Sequence, residues 1–138
     1  MKKIYRTARL VTLIACCASV VTAAEHQLVA PDGGLKVIVS DVGGLNYRVE
    51  VDGKTVLTNS PLGLEFQGGA RLGPAAVITG ISKNKHSGKW ENRFGKRRIV
   101  RDNWRELRLT LEERSTPVRT FGLIVRAYDD GVACRCVG

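Results

Sequence analysis

Leu45-Asn46-Tyr47-Arg48-Val49-Glu50-Val51-Asp52-Gly53-Lys54 is the stretch that decides the fold. Leu45, Tyr47, Val49 and Val51 alternate with Asn46, Arg48 and Glu50. Successive side chains on a strand point to opposite faces, so this segment reads as a strand with one apolar and one polar face. Asp52-Gly53 then supplies a tight hairpin turn, because Gly tolerates positive φ, and Lys54–Thr58 forms the returning strand.

The same period of two continues on both sides. Leu35, Val37 and Val39 alternate with Lys36, Ile38 and Ser40, after a turn at Pro31-Asp32-Gly33-Gly34. Leu62–Phe66 and Ala76–Ile81 read as shorter strands, set apart by Gly68-Gly69 and Gly73-Pro74. Further on, Leu107, Leu109 and Leu111 alternate with Arg108 and Thr110, and Phe121, Leu123, Val125 and Ala127 alternate with Gly122, Ile124 and Arg126. No segment after residue 24 carries a sustained helical stripe. The expected fold is all-β, an antiparallel β-sandwich of short strands and Gly-rich turns. The last strand, Val132–Val137, has no closing turn after it and leaves a sheet edge open. Residues 25–138 are therefore expected to form a partial sandwich that continues further.

Residues 1–24 read as a separate export segment. Lys2, Lys3, Arg6 and Arg9 form a basic start, Leu10–Val21 is apolar apart from Thr12 and Ser19, and Thr22-Ala23-Ala24 offers the small residues a signal peptidase requires. The apolar run is too short for a transmembrane anchor, which needs about 20 residues. A helical signal peptide, cleavage before Glu25 and a periplasmic or extracellular location are the expectation. A second processing route is also readable: Leu13-Ile14-Ala15-Cys16 resembles a lipobox, which would leave the protein lipid-anchored through Cys16. The formal charge of +9 loses the four cations of the export segment on cleavage.

The remaining cysteines, Cys134 and Cys136, lie on one face of a strand, where a bridge across one residue is strained. With no Cys-x-x-Cys or His-x-x-x-His pair, neither a disulfide framework nor a zinc site is expected. Asp129-Asp130-Gly131 could suggest a carboxylate pair, but adjacent strand residues face opposite ways and the following Gly favours a β-turn. No spacing among Glu65, Glu91, Glu106, Glu112 and Glu113 selects an acid/base pair. His26 and His86 are isolated, and no Gly-x-Ser-x-Gly elbow or phosphate-cradling Gly loop is present.

One segment departs sharply in composition. Residues 83–105 hold nine Lys and Arg against Glu91 and Asp102, with Trp90, Phe94 and Trp104 interleaved. Basic residues among aromatics can grip a polyanion, and the three aromatics could stack on sugar faces. Trp90, Phe94 and Trp104 are the candidate ligand contacts. The plainer reading is a solvated loop between strands whose tryptophans tuck into the core. Nucleic acid is not expected as the partner of an exported chain.

These residues also carry a resemblance. Leu28-Val29-Ala30-Pro31-Asp32-Gly33-Gly34-Leu35-Lys36-Val37 and Tyr47–Leu57 resemble the opening strand pairs of glycoside hydrolase family 97. Ser60-Pro61-Leu62-Gly63-Leu64 is similar to its SPLGL segment. Trp90, Gly95-Lys96 and Asn103-Trp104-Arg105-Glu106-Leu107 resemble a further region, and Arg126-Ala127-Tyr128-Asp129-Asp130-Gly131-Val132-Ala133 is close to the family's RAYDDGVAFRY. Cys134 and Cys136 depart from that pattern, standing where it has Phe and Tyr. Aromatics bury more surface than Cys, so this end of the sheet should pack less well.

The resemblance implies an N-terminal β-sandwich of the supersandwich type from an exported, exo-acting α-glucosidase or α-galactosidase acting on oligosaccharides. The family places a central (β/α)8 barrel and a C-terminal β domain after it. It also implies calcium in the full-length enzymes, with the catalytic and calcium residues beyond the part matched here. No catalytic, cofactor-binding or metal residue carries over to this chain. On this reading the chain alone is inactive, its partner is the missing barrel, and carbohydrate is met through the parent enzyme. The rival reading is a stand-alone carbohydrate- or polyanion-binding module built on Trp90, Phe94, Trp104 and the 83–105 stretch. A third is a remnant without function, marginally stable because its core is small.

Overall fold

A computed structural model describes residues 25–138. The export segment, its expected helix and Cys16 lie outside the described residues. Ten strands follow in order: β1 Glu25–Val29, β2 Leu35–Ser40, β3 Asn46–Val51, β4 Lys54–Pro61, β5 Leu64–Glu65, β6 Arg71–Leu72, β7 Ala76–Glu91, β8 Ile99–Glu113, β9 Thr120–Tyr128 and β10 Gly131–Val137. They build two four-stranded antiparallel meanders, β1-β2-β3-β4 and β10-β9-β8-β7, with β5-β6 as a small separate ribbon. The all-β sandwich expected from the alternation is the fold found.

Turn chemistry explains the meanders. Asp52 and Gly53 both have positive φ, +48° and +75°, the conformation a two-residue hairpin needs to match strand twist. The register follows directly, with Val51 opposite Lys54. Asp129-Asp130 forms the β9–β10 turn, as its composition implied, and Gly131 pairs with Tyr128.

The two inner faces meet in one core. Leu28, Leu35, Val37, Val39 and Val49 of the first sheet pack with Leu107, Leu109, Leu111, Leu123 and Val125 of the second. The sheets are offset: β1 lies over β8 and β9, and β2 over β9. Two buried positions run against the alternation. Ile38 and Ile124 point to the outer faces yet are only 1% and 4% exposed. Ile38 stands between Gln27 and Arg48 in the sheet register, and long polar side chains cover such a residue with their aliphatic stems.

Polar contacts lock the layers at their ends. Asp41 Oδ2 accepts a 2.9 Å bond from the Ile78 backbone N–H, next to the bulge in β7. The buried Glu113 carboxylate accepts from the Gly73 N–H at 3.0 Å and from Arg119 Nε at 2.7 Å. On the outer face of the first sheet, Arg48 bridges Glu25 at 2.8 Å and Glu50 at 3.6 Å, while Lys36 reaches Glu50 at 2.7 Å. The Arg48 hydrogen bond holds the Glu25 carboxyl below its ordinary range, and Lys36 does the same for Glu50.

The main correction concerns residues 83–105. They are not a loop with tryptophans in the core. The distal halves of β7 and β8 pair continuously from Lys83↔Leu107 to Glu91↔Ile99, closed by a turn at residues 92–98. The inner face of this ribbon is mostly polar and its outer face mixes Trp90, Val100 and Trp104 with polar residues, so the sequence shows no clean apolar alternation there.

Candidate functional site

The ribbon's register sorts its residues onto two faces. Residues directly opposite in an antiparallel pair share a face. Asn84/Glu106, His86/Trp104, Gly88/Asp102 and Trp90/Val100 lie on the outer face. Lys85/Arg105, Ser87/Asn103, Lys89/Arg101 and Glu91/Ile99 lie on the inner face, continuous with Leu107, Leu109 and Leu111.

The outer face carries an aromatic cluster. The His86 and Trp104 rings stack with centroids 5.3 Å apart, and the Arg126 guanidinium sits 4.1 Å over the Trp104 ring. Trp104 is thus flanked from both neighbouring strands and half-buried. Gly88 makes room for this: a Cβ there would fall 2.7 Å from His86 Nε2. His86 Nε2 also lies 3.5 Å from Asp102 Oδ2. Trp90 stands on the same face further out, 52% exposed, and Phe94 is 87% exposed in the turn. Of the three candidate aromatics, Trp104 and Trp90 share a face about 13 Å apart along the strands, and Phe94 belongs to the tip.

Next to Trp104 on the same face, an ion network surrounds the buried Glu106 carboxylate. Glu106 accepts from Arg126 Nε at 2.8 Å, Asn84 Nδ2 at 3.3 Å and Arg108 Nη2 at 3.4 Å. Burial alone would push the Glu106 carboxyl up. The hydrogen bonds from Arg126 and Asn84, with the Arg126 charge, outweigh it and hold the carboxyl below the usual range. Arg126 is the residue sequence reasoning missed: it bridges Glu106 and Trp104 from β9. The signal was available in the pairing, since Leu107 opposite Val125 puts Arg126 opposite Glu106.

The turn carboxylate Asp129 has a structural task. Its Oδ1 accepts the Asp32 backbone N–H at 3.0 Å and ties the β1–β2 turn to the β9–β10 turn. Among the described residues, no cluster of three or more His, Cys, Asp or Glu could hold a metal ion.

A groove of about 580 Å³ opens at the opposite end, lined among others by Leu45, Asn46, Pro61, Leu62, Leu64 and Leu72. The Pro61–Leu64 backbone packs hard on the β6–β7 connection. A Cβ on Gly63 would lie 2.8 Å from the Leu72 carbonyl oxygen, and one on Gly73 2.7 Å from that of Leu62. A smaller gap of about 410 Å³ separates the sheets beside β10, lined by Tyr47, Val49, Val51, Val56, Val132 and Cys134 among others. Cys134 and Cys136 are free thiols on the inner side of this edge strand, opposite Val125 and Leu123. Desolvation pushes the Cys134 thiol up, with the neighbouring Cys136 adding to it.

Comparison with known proteins settles the lineage. The family model described as Glycosyl-hydrolase 97 N-terminal matches residues 28–137, from within β1 to the end of β10. The chain belongs to the glycoside hydrolase 97 family. A retaining alpha-galactosidase of Bacteroides thetaiotaomicron is 26% identical over 128 residues, covering 93% of this chain and 18% of the relative. A probable retaining alpha-galactosidase of Streptomyces bingchenggensis is 34% identical over 98 residues, 69% of this chain and 14% of the relative. Among solved structures, a family 97 enzyme of Pseudoalteromonas sp. strain K8 in complex with acarbose superposes with a TM-score of 0.74 at 29% identity. That match covers 80% of this chain and 17% of the enzyme. A beta-arabinopyranosidase gives 0.71 at 28% identity, covering 80% and 18%. The family 97 chain described here therefore spans less than a fifth of the length of these relatives.

Proposed function

We propose that this chain supplies the N-terminal, non-catalytic β-sandwich of an exported, exo-acting α-glycosidase. It packs on a (β/α)8 barrel that carries the chemistry and helps shape the sugar pocket. The observation that supports this most is the family match over residues 28–137, together with the state of the carboxylates inside it. A glycosidase general acid needs a raised pKa and freedom to donate its proton. Glu106 is held ionised by Arg126, Asn84 and Arg108, Glu113 is clamped by Arg119, and Asp129 holds the Asp32 backbone. These groups serve the fold.

Calcium, which the resemblance attaches to the full-length family, does not fit the buried carboxylates Glu106 and Glu113. Both are already neutralised by arginines, and calcium takes six to eight oxygens from converging ligands. Export rests on residues 1–24 and their three-part pattern. Mass spectrometry of the secreted protein should find an N-terminus at Glu25. Lipid on Cys16 would replace that route by membrane anchoring.

Release of 4-nitrophenol from aryl α-galactoside and aryl α-glucoside tests the non-catalytic reading. The purified 138-residue chain is expected to match the blank. Turnover above the blank that is saturable in substrate overturns it.

A further inference from the structure

The inner face of the β7–β8 ribbon has no place in that proposal. Inside the sandwich its positions are Leu107, Leu109 and Leu111. Past the end of β1 they turn cationic. Lys83 Nζ donates to the Gln27 carbonyl at 3.1 Å and Arg105 Nη1 to that of Val29 at 3.5 Å, which marks where the covering sheet stops. Beyond it Lys85 stands opposite Arg105, and Lys89 opposite Arg101.

Like charges directly opposite across a sheet repel. Among the described residues, Lys36, Arg48, Arg71, Arg98, Arg108, Arg119 and Arg126 meet carboxylates, whereas Lys54, Lys83, Arg93, Lys96, Arg97, Arg114 and Arg135 do not. Among the described residues, Lys85, Lys89, Arg101 and Arg105 also meet none within ion-pair distance, and what sets these ribbon cations apart is that they stand opposite one another. Asp102 lies on the outer face, facing His86. Asp129 and Asp130 share a shallow depression with Arg101 and Asn103, but Asp129 is turned to the Asp32 N–H. Four exposed cations in two self-repelling pairs form a site that an anion completes.

The geometry narrows the anion. The two cationic pairs are four residues apart, about 13 Å at the rise of a strand. One small anion cannot reach both, whereas a linear polyanion can. Between the pairs Ser87 Oγ donates to Asn103 Oδ1 at 3.0 Å, leaving the Asn103 amide N–H groups to meet hydroxyls. A depression of about 470 Å³ lies there, lined by Ser87, Gly88, Lys89, Arg101 and Asn103. Single-stranded nucleic acid sites combine cations with aromatic stacking platforms. Here the tryptophans are on the opposite face, and the cations are accompanied by a hydroxyl and an amide. We propose that the inner face of the ribbon binds an acidic polysaccharide, laid along the strands, with its carboxylates on Lys85/Arg105 and Lys89/Arg101.

The test is titration of the full chain with polygalacturonate fragments by calorimetry, against neutral dextran and oligo(dT). Four charge contacts, at about 0.7 counter-ions released per contact of a flexible polyanion, give a slope of log affinity on log salt near −2.8. Affinity is expected to fall about 50-fold between about 50 and 200 mM salt. The variant Lys85→Gln/Lys89→Gln/Arg101→Gln/Arg105→Gln should lose binding. A control with equal net charge, Lys54→Gln/Arg93→Gln/Lys96→Gln/Arg97→Gln, should keep it. If the fourfold variant fails to fold, Lys89→Gln and Arg101→Gln singly should each reduce the salt slope by about a quarter. The proposal is overturned by no binding at about 50 mM salt, by equal losses in the two fourfold variants, or by tighter binding of oligo(dT) at matched ionic strength. None of these outcomes bears on the aryl glycoside assay.

Discussion

The proximal and distal halves of the β7–β8 hairpin share one register and one period, and differ in what lies over them. Where β1 covers β8, the inner positions are Leu107, Leu109 and Leu111, all fully buried. From Arg105 outward no strand among the described residues covers them, and the same positions become Arg105, Asn103 and Arg101. Strand pairing therefore holds the ribbon together in both halves, while burial stabilises only the proximal one. The difference teaches that a long hairpin can carry core and binding surface on one continuous face.

Truncating a proximal inner residue should break the fold hardest. Leu109→Ala removes a fully buried side chain and should cost about 2–5 kcal/mol in chemical denaturation. Arg101→Ala, eight residues away on the same face, should stay within about 0.5 kcal/mol. Equal effects would erase the distinction between the halves.

The next largest effect sits where the halves meet. Glu106→Gln leaves Arg126 without its carboxylate and should cost about 1–3 kcal/mol. Its pKa is depressed in the folded state, so its stabilisation is present above the unfolded carboxylate pKa and is lost as pH falls through the folded value. Denaturation midpoints of the parent chain should decline as pH drops below about 4.5, and more steeply than those of Glu106→Gln.

The open seam beside β10 offers a change of the opposite sign. Cys134→Phe with Cys136→Tyr puts aromatics on the inner side of β10, beside the gap lined by Tyr47, Val49, Val51 and Val132. A gain of about 0.5–2 kcal/mol in thermal unfolding is expected. Smallest of all, Lys89→Gln with Arg101→Gln relieves one like-charge pair and should raise stability by about 0.2–1 kcal/mol. A loss there would mean that the cations support the ribbon rather than burden it.

Most of the sandwich was legible because its inner and outer faces differ in polarity. Leu45–Val51, Leu107–Leu111 and Phe121–Ala127 show the alternation that a half-covered sheet requires. Ile38 and Ile124 escaped because burial on an outer face depends on the stems of neighbouring side chains, which periodicity does not encode. The ribbon escaped for the converse reason: one face is mostly polar and the other mixes tryptophans with polar residues, so neither shows a clean apolar signature. Trp90, Phe94 and Trp104 were visible as residues, but their sorting needed the register. Pairing His86 with Trp104 and Glu106 with Arg126 separates a packed indole from two exposed rings. The Asp129–Asp32 link joins residues 97 apart and left no local trace.

The central claim is that residues 28–137 complete a family 97 enzyme without carrying its chemistry. It is tested most directly by grafting them in place of the matching segment of the Bacteroides thetaiotaomicron retaining alpha-galactosidase and measuring aryl α-galactoside hydrolysis. Misplacing a catalytic constellation by about 1 Å costs about 100-fold, so the enzyme lacking its sandwich should fall at least that far. The graft should recover most of that loss. A soluble graft no more active than the sandwich-deleted enzyme would contradict the account.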